Sequence, residues 1–191
     1  MIRIYVQEFS EEKGKRKYEV EHEAGRQVLD RALKEDYGVE SYIFERKPQG
    51  KPWLPSHPEI YFNISHSGNL AVCAVGESRL GVDIERVRPF KDNLLRKVLS
   101  YQEQEMFENM EMSEEERQKL FFRLWTLKES FVKADGCGIR IPLGEVSFSF
   151  KQGGQIRCNQ NQYSFWQKEL ENGFVISLCW KGGNQEEILL N

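Results

Sequence analysis

"GVDIERV", residues Gly81 to Val87, decides how the chain is read. Val82, Ile84 and Val87 are β-branched and mark a pleated, partly buried strand. Asp83 and Glu85 alternate with them, so both carboxylates leave one face of that strand, one pleat repeat apart. Two like charges at this spacing repel. Either that face is an exposed edge, or a cation neutralises it, because close carboxylates beside apolar neighbours are tolerated mainly when their charge is balanced. A third carboxylate from a facing helix would complete an oxygen-rich site. Mg²⁺ suits such a site, since it takes a few carboxylates and keeps positions for water and substrate phosphate.

The rest of the chain supplies a candidate helix. Ser113-Glu114-Glu115-Glu116 is a capping box, and Leu120, Leu124, Leu127, Phe131 and Ala134 then recur at the spacing of a core-facing stripe. Trp125, Glu129 and Lys133 form a line beside that stripe, which places Glu129 near the edge of the buried face. Taken alone, Glu129 and Lys133 read as a solvated surface pair; the strand acids give them a second reading, as parts of one site.

Before that helix and after it, one order of elements runs twice. A strand over residues 2–8 and a helix from Ala24 to Tyr37, stopped by Gly38, precede strands at Ser41 to Glu45, Glu59 to Ile64 and Leu70 to Val75. The Gly81 to Val87 strand restarts the series. A helix from about Asp92 to Glu108 and the long helix follow, then strands at Glu145 to Phe150, Gln162 to Gln167 and Phe174 to Trp180. The expected fold is mixed α/β (α+β) with two pseudo-symmetric halves in one chain, 1–80 and 81–191. Each half is a helix packed on a three-stranded antiparallel meander with an added strand.

Composition limits what this fold can do. The 191 residues can bury a sizeable core, and 27 Lys plus Arg against 30 Asp plus Glu give a net charge of -3, which argues against a generally nucleic-acid-binding surface. No apolar run reaches membrane-spanning length, and Met1 to Val6 alternates like a strand instead of forming a signal peptide's apolar block, so a cytoplasmic protein is expected. Cys73, Cys137, Cys158 and Cys179 are scattered without metal-ligand spacing and read as reduced thiols. Any anion site must therefore be local. "FNISHSG", Phe62 to Gly68, ends a strand and offers Ser65, His66, Ser67 and glycine-freed amides in a polar turn that could hold a phosphate or be an ordinary hairpin. No G-x-S-x-G elbow frames either serine, so a serine hydrolase is disfavoured. Basic residues cluster at Lys13, Lys15, Arg16 and Lys17, at Arg26, and at Lys51 in Gly50-Lys51-Pro52.

Together these motifs resemble the 4'-phosphopantetheinyl transferases of the larger, surfactin-synthetase-activating type. Gly50-Lys51-Pro52, Phe62 to Gly68, Gly81 to Glu85 and the stretch from Trp125 to Gly138, "WTLKESFVKADGCG", fall in that family's order and span most of the chain. The resemblance implies Mg²⁺-dependent transfer, with Mn²⁺ as an alternative metal, of the phosphopantetheine arm of coenzyme A to a serine of an apo acyl or peptidyl carrier protein. Asp83, Glu85 and Glu129 would hold the metal. Glu129 would serve as base, Lys133 would pair with the phosphates, and Glu103 would be a further acid of the site. Arg26 and His66 match positions that meet the 3'-phosphate; Gly50, Lys51 and Pro52 match the adenine side; Ser65 and Lys128 would be further coenzyme A contacts. A monomer is expected, because both halves of the cleft lie in one chain. The rival readings are a metal-dependent phosphoesterase or nuclease, and an inactive coenzyme A or carrier-binding module.

Overall fold

A computed structural model of the chain describes residues 1–46, 50–136, 141–151, 153–182 and 186–191. Its strands are β1 (Ile2–Glu8), β2 (Glu45–Arg46), β3 (Pro52–Trp53), β4 (Tyr61–Ser67), β5 (Leu70–Gly76), β6 (Leu80–Arg86), β7 (Phe148–Phe150), β8 (Ile156–Cys158), β9 (Tyr163–Glu169), β10 (Phe174–Lys181) and β11 (Ile188–Leu190). The helices are α1 (Lys17–Tyr37), α2 (Asn93–Val98), α3 (Tyr101–Asn109) and α4 (Glu114–Asp135).

The fold is the mixed α/β arrangement expected. β11, β1, β5 and β4 form one sheet and β6, β10 and β9 a second. The doubled order survives in the pairing: β1-β5-β4 and β6-β10-β9 are both antiparallel, and in each the last strand of a closing hairpin lies in the middle. Strand alternation then assigns the core. Ile2, Ile4, Leu70, Val72 and Ala74 of the first sheet meet Leu80, Val82, Ile84, Ile176 and Leu178 of the second in one cluster. The opposite faces are covered by α1, which buries Val28, Leu29 and Leu33 against Tyr5, Ala71 and Cys73, and by α4, which buries Leu124, Leu127 and Phe131. The result is helix, sheet, sheet, helix.

Several expectations are corrected. α1 begins at Lys17 rather than Ala24, because Glu19 reaches back to the Arg16 amide (2.9 Å) and closes a polar first turn with little apolar periodicity. The strand expected at Ser41 to Glu45 shrinks to β2, which pairs only with β3; Tyr42 and Phe44 instead rest on the α1 cluster. The helix from Asp92 to Glu108 is two helices, since Ser100 accepts from the Glu103 amide and Glu103 from the Ser100 amide, starting α3 afresh. β7 pairs with β8 in a separate hairpin instead of joining a three-strand meander, and β11 adds a parallel strand beside β1. β4 runs on through Ser65, His66 and Ser67, so the turn before β5 is Gly68 and Asn69 alone, with Gly68 at φ 59°. The chain leaves α4 at Gly136, whose φ of 78° is the left-handed helix stop. Cys137 and Gly138, part of the long motif, lie outside the described residues. Cys73, Cys158 and Cys179 are free thiols, and burial pushes the Cys158 pKa up to about 11.

Candidate active site

Gly81 sets the geometry. A Cβ there would lie 2.2 Å from the Ser130 carbonyl oxygen and 2.3 Å from the Ala134 amide nitrogen, so only glycine lets α4 rest directly on β6. Gly81, Asp83 and Glu85 share the face that α4 covers, and the helix carries Glu129 and Lys133 on adjacent turns beside that contact. Local strand and helix spacing thus bring four charged groups to one seam.

Lys133 crosses it. Its ammonium donates to Asp83 Oδ1 (2.6 Å), to Ser65 Oγ (2.9 Å) and to the Val82 carbonyl (3.2 Å). Ser65 donates in turn to Asp83 Oδ1 (2.8 Å). Asp83 is 5% exposed, and its Oδ2 is buried without a hydrogen-bond partner among the described residues. Burial raises the Asp83 pKa, Lys133 and Ser65 oppose the rise, and Glu85 adds to it. Glu129 is half-buried and its pKa is raised too, by burial first and then by the charges of Asp83 and Glu85, with Lys133 acting the other way. Glu85 Oε2 accepts from Ser67 Oγ (2.8 Å) and from Arg88 Nη1 (2.8 Å). Among the described residues no group of three or more His, Cys, Asp or Glu side chains is arranged as a ready-made metal cage. The donor set still fits a hard cation: carboxylates gathered in a half-buried place, with one carboxylate oxygen left unbonded.

Glu103 and Lys128 form a separate pair, apart from the seam. Their side chains are 2% and 0% exposed and lie 2.6 Å apart. Lys128 Nζ also donates to the Leu143 (3.0 Å) and Val146 carbonyls, which uses all three of its protons. Glu103 accepts from the Ser100 and Phe148 amides (2.7 and 2.8 Å). This buried pair ties α3 and α4 to the segment entering β7. Burial pushes the Lys128 pKa down and Glu103 opposes that shift.

The remaining expected residues spread over nearby surfaces. Lys51 Nζ donates to the Leu80 and Lys133 carbonyls (2.8 and 2.6 Å), binding the end of α4. With Pro52, Trp53, Asp135 and Gly136 it lines a cavity of about 200 Å³. Gly50 precedes it at φ 89°. His66 alternates with Ser65 and Ser67 and leaves the opposite face of β4, 3.8 Å from Glu21 of α1, an ion pair only when the imidazole is protonated. Arg26 is exposed on α1, stacked over Tyr42 and Phe44 (4.7 and 4.8 Å to the ring centres) and 3.3 Å from Asp30. Ser67 and Arg88 were missed as partners of Glu85; the signal for Ser67 was its two-residue spacing from Ser65, matching that of Asp83 and Glu85.

Two related sheets in one chain, with acids and a lysine gathered on the seam between strand and helix, define a mixed α/β protein with a charged site on one strand. The profile of the 4'-phosphopantetheinyl transferase superfamily matches residues 79–179, and the chain belongs to that superfamily. It is similar to 4'-phosphopantetheinyl transferase Sfp of Bacillus subtilis (strain 168), 31% identical over 145 residues, covering 71% of this chain and 62% of that protein. It is also similar to 4'-phosphopantetheinyl transferase HetI of Nostoc sp., 40% identical over 124 residues, covering 61% of this chain and 52% of that protein. The chain thus spans only part of the length of these curated relatives. A holo-(acyl-carrier-protein) synthase from Bacillus anthracis str. Ames, in complex with CoA (3',5'-ADP), superposes at a TM-score of 0.47 and 14% identity over 56% of this chain and 97% of that one. Among the described residues no helix is long and apolar enough to cross a membrane.

Proposed function

We propose that the protein transfers the 4'-phosphopantetheine arm of coenzyme A to a serine hydroxyl of an apo acyl or peptidyl carrier protein, releasing 3',5'-ADP. The observation that supports this most is the meeting of Asp83, Glu85, Glu129 and Lys133 at one seam in a chain of this superfamily. Asp83, Glu85 and Glu129 would hold Mg²⁺, or Mn²⁺ in its place. When bound, the ion neutralises charge on the pyrophosphate oxygens.

The chain's own groups divide the remaining work. Glu129 accepts the proton of the carrier serine as its oxygen bonds to phosphorus and the phosphorus–oxygen bond to 3',5'-ADP breaks. A carboxylate at this seam suits a general base once it is within hydrogen-bond reach of that hydroxyl. Lys133, now bonded to Asp83 and Ser65, would move to a phosphate oxygen. The half over 1–80 would take the nucleotide, with Arg26 and His66 toward the 3'-phosphate and Gly50, Lys51 and Pro52 beside the adenine. The half over 81–191 would carry the metal and receive the carrier. We further propose that it acts as a monomer in the cytoplasm.

Incubation with coenzyme A, Mg²⁺ and a panel of apo carriers, followed by intact-mass measurement, tests the reading. One carrier gaining one phosphopantetheine is the expected result; coenzyme A bound but no carrier modified would make the protein a binding module instead.

A further inference from the structure

Asn63, Ser65 and Ser67 occupy alternate positions on the face of β4 turned toward β6. Their side-chain oxygens accept the backbone N–H groups of Val82 (2.9 Å), Ile84 (3.4 Å) and Arg86 (3.2 Å). Each contact steps two residues along both strands, so β4 and β6 run parallel and are joined through side chains. β6 is the edge of its own sheet, and these side chains replace the strand that would otherwise pair with its outward amides.

The same hydroxyls face the acids. Ser65 gives its proton to Asp83 Oδ1 and Ser67 gives its own to Glu85 Oε2, both at 2.8 Å. A hydroxyl has one proton, and the amide it accepts from on one side leaves the carboxylate as the partner on the other. Each acid is therefore held at one oxygen by a serine. Lys133 and Arg88 bind those same two oxygens. Among the described residues, the other oxygen of Asp83 has no partner and no hydrogen bond reaches Glu85 Oε1.

We infer that Ser67, together with Ser65, is a positioning residue of the acid site: it fixes one oxygen of Glu85 so that the other is presented to the cation. This rests on the metal reading of the previous section. A partner that orients a ligating carboxylate in this way contributes about 10-fold or more to metal affinity.

Mn²⁺ titration of the full chain, followed by electron paramagnetic resonance, separates the two. Ser67→Ala should weaken Mn²⁺ binding about 10-fold, and Ser67→Thr should restore it. In a Glu85→Gln background, Ser67→Ala should cost nothing more, because its effect runs through Glu85. Wild-type affinity in Ser67→Ala, or equal losses in both backgrounds, would overturn the inference while leaving the metal reading intact. Unchanged binding in both Asp83→Asn and Glu85→Gln would remove the metal reading and the inference with it. Should Ser67→Ala fail to fold, Ser67→Cys, with its weaker donor, carries the same comparison.

Discussion

Lys128 and Glu129 are neighbours on α4 with opposite surroundings. Lys128 points into a closed arrangement in which it and Glu103 use every donor and both carboxylate oxygens, and neither side chain reaches solvent. Glu129 faces an open one, in which Asp83 keeps an orphaned oxygen and burial raises the pKa of two acids. The residue types are the same; the difference is whether they are satisfied. A closed buried pair is architecture, because removing either member leaves an uncompensated charge. An unsatisfied cluster holds its charge at a cost in stability and is the place to look for chemistry.

That contrast can be broken in four ways. Lys128→Met should destabilise most, by about 3–5 kcal/mol, since it strands the Glu103 charge. Chemical denaturation measures it, and adding Glu103→Gln to the same chain should recover much of the loss. A small loss in the single variant would mean that the pair is not closed. Asp83→Asn should lower transfer at least 100-fold, about 2.7 kcal/mol in barrier height. Its unfolding free energy should change far less than that of Lys128→Met; steady-state rates and denaturation curves on the same preparation decide this. Gly81→Ala should cost about 1–3 kcal/mol, because the new methyl group forces α4 off β6. Transfer should fall with it, while the contacts of the Lys128 pair, read by hydrogen exchange, stay protected.

Glu129→Gln should have the smallest effect on stability, and of the opposite sign. The folded state holds the Glu129 pKa above its unfolded value, so ionisation above that pKa costs stability that a neutral side chain does not lose. The variant should melt higher near neutral pH. The advantage should shrink as the pH drops through the raised folded pKa toward the ordinary carboxylate value. Melting curves across that range measure it, and a lower midpoint at neutral pH would contradict the burial argument.

Much of this was legible before any coordinates. β1 and β6 show through their alternation, β5 and β10 as short apolar runs, and α4 through its capping box and apolar stripe, because those signals are local. Asp83 with Glu85, and Glu129 with Lys133, were readable for the same reason, as neighbours at strand and helix spacing. What escaped depends on distant partners. Ser65 and Ser67 look like turn residues until the amides of β6 are seen to need their oxygens. Glu103 and Lys128 each suit an active site in isolation, and only the packing of α3 on α4 pairs them. Ile188 to Leu190 becomes a strand only because β1 offers it an open edge.

On the proposed function, Asp83, Glu85 and Glu129 share one divalent ion. A crystal structure with coenzyme A and Mg²⁺ tests it most directly. A single cation should appear with an oxygen of each acid at about 2.0–2.1 Å, and Lys133 should have withdrawn from Asp83 onto a phosphate. Lys133 still bonded to Asp83, or the metal bound elsewhere or to fewer than three of these acids, would rule it out.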